Sequence, residues 1–286
     1  MRIINRYLIV ITCLIVISSG LLTAKAVKLP KSPDQFFTNG YCHQTTAETA
    51  QSDSRSVRAF VDGKWHNYSL VSYPKAFMDW NIERRLGYLD TIRKLMKGES
   101  EEGPELAGPH NGMVATYGWA GQGSQFKLNN AVKGMGFLPK ATKIDSVLIM
   151  LKKTIDSPMP AKLDILEGMY KDAANLFDMD RQVSLELYAE PKFLTQSYCN
   201  QMINPVSTIV FLDIPCYKLK TIARLLDPKD PNLTDYEKKV VDYINLIHSY
   251  FHGAFDQQFI AVIYYVCEIY DNSPGRMDAR GLKIMP

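Results

Sequence analysis

The residues from Asn232 to Tyr270 constrain this chain more than any others, because a well-marked helix there runs directly into a long apolar segment. Thr234-Asp235-Tyr236-Glu237 has the capping-box pattern: the Thr234 hydroxyl can accept from the Glu237 N–H, and the Glu237 carboxylate from the Thr234 N–H. Asp235 and Glu237 also sit where the helix dipole favours negative charge. Tyr236, Val240, Ile244, Ile247 and Phe251 then recur in steps of three and four, which places one apolar stripe against a core. Gly253 is a suitable stop. Phe259 to Tyr270 follows, rich in Ile, Val and Tyr and closed by the turn cluster Asp271-Asn272-Ser273-Pro274-Gly275. It reads as a central strand with both faces covered. A buried helix is the alternative, since an unbroken apolar run has no period.

His248 and His252 stand four apart and share one helix face, the spacing that two metal ligands on a helix need. Ser249 follows His248 and no acid lies between the histidines, so the metalloprotease pattern is absent. Histidines in a last turn are also favoured by the dipole and by free carbonyls, and that structural role is the preferred reading. A metal site would need a third ligand from among His43, His110, Asp256 and Cys267. No cofactor is specified; zinc is the metal such a site would take, and it is not favoured.

The N-terminus has the layout of an export signal. Arg2 and Arg6 precede an apolar run from Tyr7 to Leu22, and Ala24-Lys25-Ala26 matches a cleavage site. The expectation is a secreted or periplasmic protein cut after Ala26; an uncleaved anchor is the alternative. The formal charge of the whole chain is +3. Without Arg2, Arg6 and Lys25 the basic and acidic residues balance, which removes the electrostatic footprint expected for nucleic acid or an anionic membrane. Cys42, Cys199, Cys216 and Cys267 remain, and export makes disulfides the default, with Cys199–Cys216 and Cys42–Cys267 preferred.

Residues 27–56 read as a loosely ordered lead-in that docks through Phe36, Phe37 and Tyr41, and residues 57–286 as one domain. Asp62-Gly63 between apolar runs predicts a β-hairpin over 56–71. Trp80 to Lys97 predicts a helix capped by Asp79 and stopped by Gly98. Helices are also expected over 143–155 and from Pro158, and a half-wet strand over 182–189. Residues 192–205 read as a connection, 206–214 as a buried strand, 217–226 as a short helix and 281–285 as an edge strand. Asn67 and Asn232 begin glycosylation-type triplets. The fold class expected is α+β, a mixed or antiparallel sheet with several packed helices.

Two further places carry candidate chemistry. A short strand, 113–117, runs into Gly118-Trp119-Ala120-Gly121-Gln122-Gly123-Ser124 and then an expected helix, 125–133. Strand, glycine loop and helix is the arrangement that cradles phosphates, with Gly118, Gly121, Gly123 and Ser124 as cofactor contacts, although the spacing matches no nucleotide motif. A flexible turn is the plainer reading. Cys216, expected at a helix start, is a candidate nucleophile, with Asp213 close in sequence and His248 or His252 as base. The favoured function is binding of a small molecule or a partner protein. The alternatives are a metal-dependent hydrolase using His248 and His252, and a thiol enzyme using Cys216.

Overall fold

The computed structural model describes residues 35–275 and 281–284, apart from 52–53, 102, 104, 120–123 and 192. The expected leader and its cleavage site after Ala26 therefore lie outside the described residues, as do Gly121 and Gly123. In chain order the elements are β1 (Phe37–Thr38), β2 (Tyr41–Cys42), β3 (Ser56–Val61), β4 (Lys64–Ser69), α1 (Lys75–Lys97) and β5 (Asn111–Tyr117). Then come β6 (Leu128–Gly134), β7 (Gly136–Pro139), α2 (Ile144–Thr154), α3 (Met159–Lys171), α4 (Ala173–Leu176) and β8 (Phe177–Glu186). The chain continues through α5 (Gln196–Ile203), β9 (Val206–Phe211), β10 (Tyr217–Leu226), α6 (Asp235–His252), β11 (Ile260–Asp271) and β12 (Leu282–Ile284).

The fold is α+β with antiparallel pairing throughout. The main sheet runs β6-β5-β9-β10-β11-β8-β7, with β12 pairing the far end of β11. Its two end strands, β6 and β7, are joined by Met135 alone, so the sheet curls back on itself as a half-barrel. Burial follows from the sequence of β11: every side chain from Ile260 to Val266 is buried. Consecutive residues of a strand face opposite ways. The Tyr264 hydroxyl accepts from Gln201 Nε2 on α5 at 2.9 Å, whereas the Tyr265 hydroxyl accepts from the Ala50 N–H at 3.1 Å.

The capping box forms as the sequence requires. Thr234 Oγ1 accepts from the Glu237 N–H at 3.2 Å, and Glu237 Oε2 accepts from the Thr234 N–H at 2.9 Å. In the β3–β4 hairpin, Asp62 (φ 50) and Gly63 (φ 81) both take positive φ, as a tight antiparallel return demands. Helix α1 begins at Lys75, with Pro74 rather than Asp79 at its cap, and ends at Gly98 (φ 71). The N-terminal segment is tied into the domain from Phe36 onward. Gln44 Nε2 donates to Gln201 O and Ala223 O, and the Arg224 guanidinium donates to Gln44 O.

Several expectations are corrected. Residues 217–226 form strand β10, not a helix: Tyr217 to Leu226 pairs along its length with β11 and partly with β9. Residues 128–134 form strand β6, so the glycine loop links two strands of a hairpin and does not lead into a helix. The strand over 182–189 is β8, which begins at Phe177 and has both faces buried from Arg181 to Glu186. The expected connection over 192–205 contains α5, capped by Thr195.

The disulfides do not form, and all four described cysteines are free. The Cys42 N–H donates to Asp227 Oδ2, beside the Leu226–Ala261 pairing, while Cys267 lies six residues further along β11, ~20 Å at the usual strand rise. Cys199, on α5, feels the charge of Glu186, which pairs with Ile260 at one end of β11. The Cys216 N–H donates to Ser273 Oγ, beyond the other end. The sheet holds each expected pair apart.

Candidate functional site

Three helices and the β6–β7 junction enclose a cavity of about 470 Å³. Helix α1 presents Arg85, Tyr88 and Ile92, spaced three and four apart and so on one face. Met159 and Tyr170 come from α3, and Ile247, His248, Phe251 and His252 from α6. Val183 and Leu185 of β8 complete an apolar wall, and His110 stands at the start of β5. The volume lies within the range of roughly 300–1,000 Å³ usual for small-molecule sites.

The polar groups gather around Arg85. Its side chain is 1% exposed. Nε donates to Asn81 Oδ1 at 2.7 Å, and Nη2 donates to the carbonyls of Pro109 and Met135 at 3.0 Å each. Nη1 has only long contacts, 3.3 Å to His110 Nδ1 and 3.5 Å to the Tyr170 hydroxyl. The guanidinium also lies 5.0 Å from the Phe137 ring centroid and 5.5 Å from that of Tyr170. Among the described residues no carboxylate pairs with it. A buried charge without a counter-charge is costly, and rings and carbonyls offset that cost only in part.

His110 reinforces the pattern. A guanidinium can only donate, so His110 Nδ1 must accept, which assigns the ring proton to Nε2. Nε2 is buried and has no hydrogen-bond partner among the described residues. Burial, and then the charge of Arg85, hold the imidazole well below its usual pKa, so it is neutral. The Tyr88 ring packs on it with centroids 4.4 Å apart.

His248 and His252 line the same cavity, with ring centroids 4.7 Å apart, and His248 stacks on Phe255. Burial and the neighbouring His252 lower His248 to about 4. No group of three His, Cys, Asp or Glu side chains among the described residues is placed to hold a metal ion. The two imidazoles are therefore brought together without a third donor among the described residues.

The other candidates are dispersed. The Asp213 carboxylate accepts from Arg84 Nε at 2.6 Å, the Trp80 indole at 2.9 Å and the Ile214 N–H at 2.7 Å. Burial raises its pKa, but those donors outweigh burial and hold it below the usual value. Cys216 precedes a strand and has no helix dipole beneath it; burial, then Asp271, raise its thiol. The structure brings neither histidine to it, since both lie on the last turns of α6, beside Phe255 near the start of β11. The described ends of the glycine loop bond to the protein itself. The Gly118 N–H donates to Lys127 O, the Trp119 N–H to Asn200 Oδ1, and Ser124 Oγ accepts from the Phe126 N–H.

A larger recess, about 970 Å³, lies beside the β3–β4 hairpin and the start of α6. Its charges are already paired: Arg224 donates to Glu237 at 3.1 Å, and His43, at its edge, meets Asp230. The α1–α3–α6 cavity is distinguished by donors that the chain leaves underused.

Sequence reasoning missed Arg85, although a signal was there. Phe77, Asn81, Arg85 and Leu89 follow at intervals of four and are all buried, so the charge sits inside the stripe that faces the core.

No protein-family model and no curated protein matches the chain. Among solved structures it is similar to a protein related to general stress protein 26 of Bacillus subtilis (pyridoxinephosphate oxidase family) from Clostridium acetobutylicum. The match covers 70% of this chain and 95% of that one, at 10% identity and a TM-score of 0.31. Nothing about this chain's chemistry follows from a likeness that remote.

Proposed function

We propose that this is an exported binding protein that holds a small, mostly apolar molecule in the α1–α3–α6 cavity. Export rests on the basic start, apolar run and Ala24-Lys25-Ala26 site of the N-terminus. Binding rests on one observation: a cavity of about 470 Å³ whose walls are aliphatic and aromatic and whose polar donors converge at Arg85 and His110. A hydrolase would need a group that activates water, and among the described residues the His248–His252 pair has no further ligand of the kind a zinc site uses. Thermal unfolding against a panel of small organic molecules tests the reading. Molecules that raise the melting temperature of the parent protein should lose that effect in Ile247→Trp, whose indole would occupy the cavity from the half-buried face of α6. Equal stabilisation of the parent and the filled variant would place binding elsewhere.

A further inference from the structure

We propose that the ligand of this cavity is a monocarboxylate with an apolar body, its carboxylate received by Arg85 and His110. The inference rests on the binding reading above and adds the chemical class. Three observations carry it together. Arg85 is buried with no carboxylate partner among the described residues, so the cavity wall bears an uncompensated positive charge. Its Nη1 is the least satisfied donor of the guanidinium, with contacts of 3.3 and 3.5 Å where Nε and Nη2 have 2.7–3.0 Å. Beside it, the proton on His110 Nε2 has no acceptor among the described residues.

A carboxylate offers two acceptor oxygens and one negative charge, which matches one guanidinium and one neutral imidazole donor. A phosphate monoester brings close to two charges and three strong acceptor oxygens, more than these donors can satisfy. A neutral amide would use the donors and leave the charge of Arg85 unmatched. The remaining wall, with Ile92, Leu185, Ile247 and Phe251, suits an aliphatic or aryl body.

The test compares octanoate with octanamide, and phenylacetate with phenylacetamide, by titration calorimetry on the full chain. At least one acid should bind about tenfold or more tighter than its own amide, as expected where a charge-assisted hydrogen bond replaces a neutral one. In Arg85→Gln that preference should vanish. Should that variant fail to fold, His110→Phe supplies the second reading, since it removes the Nε2 donor and should reduce the acid's advantage several-fold. Amides that bind as tightly as acids in the parent protein overturn the carboxylate inference and leave the binding reading standing. If neither acids nor amides bind, the inference is overturned, and the cavity reading loses its support with it.

Discussion

Lys133 on β6 and Glu186 on β8 form an ion pair that spans the two arms of the curled sheet, with side chains only 9% and 1% exposed. Neither strand is hydrogen-bonded to the other, so this contact is a tie across the seam. Removing one partner leaves the other charge buried. Glu186→Gln should cost ~3 kcal/mol in urea unfolding. Lys133→Met combined with Glu186→Leu should recover most of that loss, because a matched apolar pair carries no desolvation penalty. A single variant as stable as the parent would show that the seam is held by other contacts.

The start of α6 offers a graded test. Thr234→Ala removes the acceptor for the Glu237 N–H and should cost ~1 kcal/mol. Glu237→Gln should cost more, ~3 kcal/mol, because Arg224 would be left buried without its counter-charge. Chemical denaturation of the two variants should rank them in that order; the reverse order would assign the stability to the cap and not to the ion pair.

Acid should weaken the fold through His248. Its folded value is about 4, below its ordinary 6.5, because burial and His252 disfavour its charge. Between those values the unfolded chain binds a proton that the folded chain refuses, so stability is fully present above 6.5 and is lost as the pH falls toward 4. The loss should be up to ~2 kcal/mol, discounted for partial exposure. Urea midpoints at pH 7.5 and 5 should differ less in His248→Asn than in the parent. An unchanged difference would assign the acid sensitivity to other groups.

The cysteines should all be free. A chain beginning at residue 27, unfolded in urea without reductant, should yield four reactive thiols. In the native state Cys42 and Cys199 should react slowly, since both are buried and burial raises their thiols, Cys199 to about 12. A count below four would show a bridge and a rearranged sheet. Cys216→Ser should shift stability by less than ~0.5 kcal/mol, having no described pairing to lose. Export and unpaired thiols pull against each other, so protein made from the full sequence should be examined for its N-terminal residue, which is Val27 if cleavage follows Ala26.

What could be read from the chain alone was local. The Thr234–Glu237 cap, the Asp62-Gly63 return and the run that became β11 each carry their structure in adjacent residues. Strand β10 does not: Leu219, Ile222, Ala223 and Leu226 repeat with a helical step, and pairing with β9 and β11 overrides it. Helix α5 was hidden for the opposite reason. Its buried residues mix Ser197, Asn200 and Gln201 with Tyr198, Cys199 and Met202, so polar positions break up the apolar stripe, and hydrogen bonds with Asn129, Thr116 and Tyr264 let those polar side chains be buried. The site divides the same way. His248 and His252 announce themselves by spacing, whereas Arg85 and His110, 25 residues apart, meet only once α1 packs beside the start of β5.

The order of strands in space has a kinetic consequence. β11 joins β10 to β8, and it is made after every other strand of that path. During synthesis, β8 and β10 therefore wait with exposed hydrogen-bonding edges while α6 is still being added. Closure depends on contacts far apart in sequence, such as Ala261 with Leu185, so this domain belongs among the slow folders, and its window of vulnerability to aggregation ends only when residues 260–271 arrive.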